Sequence, residues 1–150
     1  MKIRQKPEDF VVTELSRYAL APQGPFALYR LVKWDSGTIE AVRSLAHAWK
    51  VPRSAVSYGG LKDRHARTEQ TLSIRDGPGR DFEGTGFRVE YLGRSTDPIG
   101  RESFSGNRFE LVVRDLRAHV LVAVLQHDLV EAHAGLGREA EVELFLQRGG

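Results

Sequence analysis

Residues 59–70 read GGLKDRHARTEQ, and in this stretch Asp63 lies between Lys62 and Arg64 with His65 and Arg67 close behind. A carboxylate so placed can attack an electrophilic carbon or take a proton. Cations at its flanks keep it ionised and draw in a polyanion such as a nucleic-acid backbone. A solvated turn is the other reading, because Asp and Gly are common turn formers. The preceding glycines, Gly59 and Gly60, would let the chain turn tightly and project Asp63 into a cleft.

Two more stretches carry side chains able to bind a nucleotide. KIRQKPEDFVVTEL near the N-terminus holds Arg4, Phe10 and Glu14, and SGNRFELVVR holds Asn107, Arg108 and Phe109. Taken singly, each residue has a plain reading. Arg4 is a surface charge, Asn107 a turn former before a strand, and Phe109 a core residue within one.

Other chemistries lack their residues. The five histidines show no HExxH spacing, so no metal site is expected. Ser54 and Ser57 lack the G-x-S-x-G context of a hydrolase elbow. The glycines of GPGR (77–80) are not followed by Lys-Ser/Thr, so there is no P-loop, and no cofactor is implied. With no cysteine in the chain, disulfides and thiolate-held zinc are excluded, and a reducing cytoplasm is the natural compartment.

The elements that must position these residues follow from composition and periodicity. At 150 residues, with 41% hydrophobic and 28% charged residues, the chain fits one soluble domain with a real core. No apolar run is long enough to span a membrane, and the first ten residues lack the apolar core of a signal peptide. Net charge is only +2, yet just five of the 22 basic residues are lysine. Arginine favours bidentate phosphate contacts, although a GC-rich genome also raises it. The pI near 9.1 is compatible with a nucleic-acid partner.

DFVVTEL (9–15), FALYRLVKW (26–34), AVSYGG (55–60), TEQTLSIR (68–75), FRVEYLGR (87–94) and NRFELVVR (107–114) read as strands. TIEAVRSLAHAWK changes period, with Ile39, Val42, Leu45, Ala46 and Trp49 on one helical face. Ser36 or Thr38 would cap its start, and Lys50 with Pro52 marks its stop. Residues 94–107 read as an extended loop. The tail reads as a helix from about His119 to His133 and a second from Glu139 to Gln147, with Gly149 as its cap. Without regular strand–helix alternation, the expected class is α+β, with a largely antiparallel mixed sheet flanked by helices.

Taken together, the three stretches resemble the TruD family of pseudouridine synthases, which isomerise uridine in RNA. Its signature, Gly-x-Lys-Asp-(Arg/Lys)-x-Ala-x-Thr-x-Gln, is filled by Gly60, Lys62, Asp63, Arg64, Ala66, Thr68 and Gln70. Its N-terminal pattern matches Pro7, Glu8, Asp9, Phe10, Val12 and Glu14, and its third matches Gly106, Asn107, Phe109 and Arg114. The stretches occur in the family's order and the resemblance covers nearly the whole chain.

The resemblance implies a pseudouridine synthase catalytic-domain fold. It gives Asp63 the place of the catalytic aspartate, and Asn107 and Phe109 that of residues contacting the target nucleotide. Arg4 falls where bacterial members commonly carry lysine, and Phe10 and Glu14 would help build the pocket floor. Lys62, Arg64, Arg67 and Arg108 would neutralise flanking phosphates. The implied partner is tRNA, with uridine 13 as the target, and the implied protein is a cytoplasmic monomer without cofactor. Family members continue past a segment like FLQRGG (145–150) into an inserted second domain and the rest of the catalytic sheet. The chain therefore reads as the N-terminal portion of such a domain, and a non-catalytic RNA-binding fragment is the rival reading.

Overall fold

A computed structural model describes residues 2–3, 6–114, 130–134 and 139–147 of the chain. Its strands are β1 (Lys2–Ile3), β2 (Phe10–Ser16), β3 (Phe26–Lys33), β4 (Val56–Tyr58), β5 (Arg67–Arg75), β6 (Phe82–Gly84), β7 (Phe87–Ser95), β8 (Phe104–Arg114), β9 (Val130–Ala134) and β10 (Glu139–Gln147). Among the described residues there is one α-helix, α1 (Thr38–Trp49), between β3 and β4. All ten strands belong to one sheet, ordered β6-β7-β3-β5-β2-β8-β10-β9, with β1 added against β8 and β4 against β5. The pairing of β2 with β5 is parallel and the others are antiparallel. The expected α+β class, with a mostly antiparallel mixed sheet, is what forms.

One face of that sheet holds the core. Side chains alternate along a strand, so Ala27, Tyr29 and Leu31 of β3, Leu72 and Ile74 of β5, and Phe87 and Val89 of β7 point the same way. They pack with Ala41, Val42, Leu45 and Ala46 of α1 in a single buried cluster. Each valine, leucine, isoleucine or phenylalanine among them contributes about 1.5–3 kcal/mol when removed from water. Ile39 does not belong to the buried stripe: it is 46% exposed, and the stripe begins at Thr38. The helix start also differs from expectation. The Gly37 N–H donates to the Glu40 carboxylate at 3.2 Å, which leaves the Thr38 hydroxyl free for other work. At the other end Lys50 adopts a left-handed conformation, φ 54°. No helix of the described residues is long and apolar enough to cross a membrane.

The tail corrects the sequence reading most. Residues 139–147 form β10, not a helix, and pair with β8 from Glu139↔Arg114 to Gln147↔Gly106. Residues 130–134, expected at the end of a helix, form β9 and pair with β10. EAEVELFLQ is rich in strong helix formers, but Ala140, Val142, Leu144 and Leu146 recur at period two. An open β8 edge turned that alternation into a strand, so tertiary pairing overrode propensity. Residues 119–129 and Gly149 lie outside the described residues. The expected loop at 94–107 is shorter than foreseen, because a 3-10 turn at Arg101–Ser103 leads directly into β8 at Phe104.

Candidate active site

Strand parity assembles the site before any loop is considered. Register pairs Val12 with both Thr68 and Phe109, Glu14 with Asn107, and Lys33 with Thr68. Paired residues share a face. Phe10, Val12, Glu14, Thr68, Gln70, Lys33, Asn107 and Phe109 therefore lie on the side of the sheet that α1 partly covers. The helix covers the β7–β3–β5 half, and Phe10 and Phe109 stand on the β2–β8 half. Their rings stack at 6.0 Å between centroids and 14° between planes, and both are half-buried.

Residues 59–66 connect β4 to β5 across this face, and buried polar side chains fasten them to it. Gln70 Nε2 donates to the Gly60 carbonyl at 3.0 Å, while its Oε1 accepts from the Thr38 hydroxyl at 3.0 Å. The Thr38 oxygen in turn accepts the Lys62 N–H at 3.1 Å. Lys33 Nζ donates to the Asp63 carbonyl at 2.5 Å. Each bond satisfies a group that would be costly to bury alone. The loop is held in place as a unit.

Glu14 and Lys62 add a buried ion pair, Oε2 to Nζ at 2.7 Å. Glu14 Oε1 also accepts from the Ser16 hydroxyl at 2.6 Å and lies 3.4 Å from the Thr71 N–H. The Lys62 ammonium sits 4.7 Å from the centre of the Phe104 ring, a cation–π contact. Gly59 is closely packed here. A Cβ on it would meet Phe104 Cβ at 3.3 Å and Glu14 Oε2 at 3.5 Å. Gly59 lies in a bend, and neither Gly59 nor Gly60 takes a positive φ, so neither uses the left-handed freedom of glycine.

Asp63 itself is exposed. Its Oδ1 accepts the His65 N–H at 2.9 Å, the local contact of an Asx turn. The side chain is thus a carboxylate oriented by its own turn and presented to solvent.

The expected phosphate-binding cations are engaged within the chain. Lys62 is buried against Glu14, so it braces the loop instead of meeting solvent. Arg64 pairs with Glu40 at 2.6 Å, both about half exposed, and this pairing with the Gly37 N–H holds the Glu40 carboxyl below the usual carboxylate range. Arg67 pairs with Glu69 at 3.0 Å and Arg108 with Glu110 at 2.9 Å, and parity turns both arginines to the opposite face. Arg4 lies outside the described residues.

Lys33 went unnoticed in the sequence although its signal was there. It continues the Ala27, Tyr29, Leu31 parity of a buried strand face. In the structure it is fully buried, and burial pushes its ammonium down to about 8, against the upward pull of Asp63. Thr68 Oγ1 and Asn107 Oδ1 are also buried and lack hydrogen-bond partners among the described residues. Those residues include no cluster of side chains suited to hold a metal ion.

The fastened loop with its exposed Asp63 carboxylate, the Phe10–Phe109 ring pair and the buried Asn107 Oδ1 thus share one face of the sheet. The family model for tRNA pseudouridine synthase D (TruD) matches residues 1–133. The tRNA pseudouridine synthase D of Aquifex aeolicus is 34% identical over 87% of this chain and 36% of its own length. That of Anaeromyxobacter sp. is 37% identical over 82% of this chain and 37% of its own. The crystal structure of the Methanosarcina mazei TruD protein superimposes with a TM-score of 0.74 at 28% identity, covering 83% of this chain and 30% of that one. The chain spans about a third of the length of the curated relatives it matches. With a family model matched along most of its residues, the chain belongs to the tRNA pseudouridine synthase D (TruD) family.

Proposed function

We propose that this chain is the N-terminal portion of a pseudouridine synthase catalytic domain and that Asp63 is the catalytic carboxylate of the enzyme carrying it. The reaction is the isomerisation of uridine to pseudouridine in tRNA, with uridine 13 as the target. The observation that carries this reading is the anchoring of the Asp63 loop. Lys33, Gln70, Thr38 and the Glu14–Lys62 pair all hold residues 60–63 on the face that bears Phe10, Asn107 and Phe109. A solvated turn does not need four buried polar anchors.

The chemistry suits those residue types. The bond between uracil N1 and the ribose breaks, the uracil turns, and its C5 joins the same sugar carbon while the C5 proton leaves and N1 takes up a proton. Asp63 can form a transient ester at the sugar carbon, as carboxylates do in glycoside chemistry, or take a proton from the sugar. Both routes need an ionised, exposed carboxylate. A base within folded RNA must first be everted, and the half-buried ring of Phe109 offers it a stacking surface. Asn107 Oδ1, buried and lacking a partner among the described residues, is suited to accept the N3–H of uracil. Arg64 can exchange its exposed pairing with Glu40 for a phosphate, because surface ion pairs are weak.

Pseudouridine formation in an unmodified tRNA transcript tests the reading. The complete enzyme should convert about one uridine per tRNA, and replacing that uridine with cytidine should abolish product. Tight RNA binding without isomerisation would favour a binding role alone.

A further inference from the structure

Lys33 differs from the other anchors of the loop. It is fully buried at the end of β3, and its ammonium reaches the main-chain oxygen of Asp63 at 2.5 Å. An ammonium is costly to bury, and a methionine would fill similar space without that cost. We infer that Lys33 is a positioning residue: its ammonium fixes the main chain at Asp63 and thereby sets where the carboxylate stands. This rests on the proposed role of Asp63.

The geometry supports the inference over simple space filling. Gln70 and the Thr38 hydroxyl secure the loop at Gly60 and Lys62, upstream of the carboxylate. Lys33 secures it at Asp63 itself. An ammonium-to-carbonyl bond is charge-assisted and stronger than a neutral one. Placement matters at this point, because an ångström of misplacement of a reacting group can cost about 100-fold in rate.

The charges around Lys33 make the contact sensitive to pH. Burial pushes the ammonium down furthest, Asp63 pulls it up, and Lys62 and Arg64 push it down, leaving it at about 8. Its register neighbours, Thr68 on β5 and Phe87 on β7, carry no charge. Glu40, in the first turn of α1, is occupied by Arg64. As pH rises through about 8 the proton leaves, the bond loses its charge assistance and the Asp63 main chain loosens.

Steady-state kinetics of the complete enzyme on tRNA, from about pH 6 to 9.5, test this. Wild-type kcat should fall on a limb near pH 8. Lys33→Met should lower kcat about 10- to 100-fold at neutral pH, leave KM within about threefold and remove the limb. Thr38→Val loosens the loop without touching the ammonium, so it should slow turnover and keep the limb. Should Lys33→Met fail to fold, Lys33→Arg replaces it, because its cation does not titrate here and must also remove the limb. A wild type without a limb, a limb persisting without Lys33, or Lys33→Met with undiminished kcat would overturn the inference. Asp63→Asn, measured alongside, separates the two claims. If it stays active, the reading of Asp63 fails; if it is dead while Lys33→Met is unaffected, only the inference fails.

Discussion

Glu14 of β2 and Lys62 of the 59–66 loop meet at 2.7 Å with side chains only 1% and 6% exposed. The pair joins the sheet to the residue next to Asp63. Removing one partner strands the other charge in the interior, a loss of about 3–5 kcal/mol, whereas replacing both with apolar residues is often close to neutral. Glu14→Leu and Lys62→Met should each lower the denaturation midpoint strongly. The double variant should recover most of that loss. Additive losses in the double variant would show that the two side chains act separately.

Phe109 lies on the same face as Asp63's loop and stacks on Phe10. Phe109→Leu keeps an apolar side chain but removes the planar surface. A lost base–aromatic stack of about 1–3 kcal/mol corresponds to roughly 5- to 150-fold in turnover. Leu111, in the same strand parity, should affect stability instead. A large fall in melting temperature with turnover unchanged would place Phe109 in the core.

Gly59 and Gly60 are adjacent but should respond oppositely to alanine. At Gly59 the new Cβ meets Phe104 and Glu14, and at Gly60 it meets nothing within 4 Å. Overpacking at Gly59 should cost about 1–3 kcal/mol. Gly60→Ala should be neutral or stabilising by about 0.4–1 kcal/mol through the unfolded chain. Denaturant melts of the two variants check this, and equal effects would contradict the close packing around Gly59.

Lys33 also gives stability a defined pH dependence. The folded chain releases its proton near pH 8, while the unfolded chain holds it to 10.5. Between those values the unfolded state binds more protons, so raising the pH favours the fold. Below pH 8 the full burial cost is present. Wild type should therefore gain stability relative to Lys33→Met as pH climbs from about 8 towards 10. Parallel pH profiles for the two proteins would show that Lys33 is not buried as a charged group.

Much of this was legible in the sequence because period-two alternation survives folding. The alternation of FVVTEL, TEQTLSIR and NRFELVV puts Glu14, Gln70 and Phe109 each on a defined strand face, and register brings those faces together. Three things were not legible. Helix propensity in EAEVELFLQ masked the same alternation, since a strand edge ready to receive it is visible only in the assembled sheet. Lys62 read as a phosphate-binding cation because its partner, Glu14, is 48 positions away in the chain. Lys33 read as a strand end because nothing local reveals that a loop 30 residues on will place a carbonyl over its ammonium.

The central claim is that the Asp63 carboxylate performs the chemistry. Asp63→Asn conserves size while removing the charge and the nucleophilic oxygen, and its side chain is exposed, so the fold has little to lose. The measurement is tritium release from 5-tritiated uridine in tRNA, comparing the complete wild-type enzyme with Asp63→Asn. Abolished release, with tRNA affinity and melting temperature close to wild type, is the predicted result. Turnover within about tenfold of wild type, a barrier change of only about 1.4 kcal/mol, would reduce Asp63 to a turn residue and contradict the assignment.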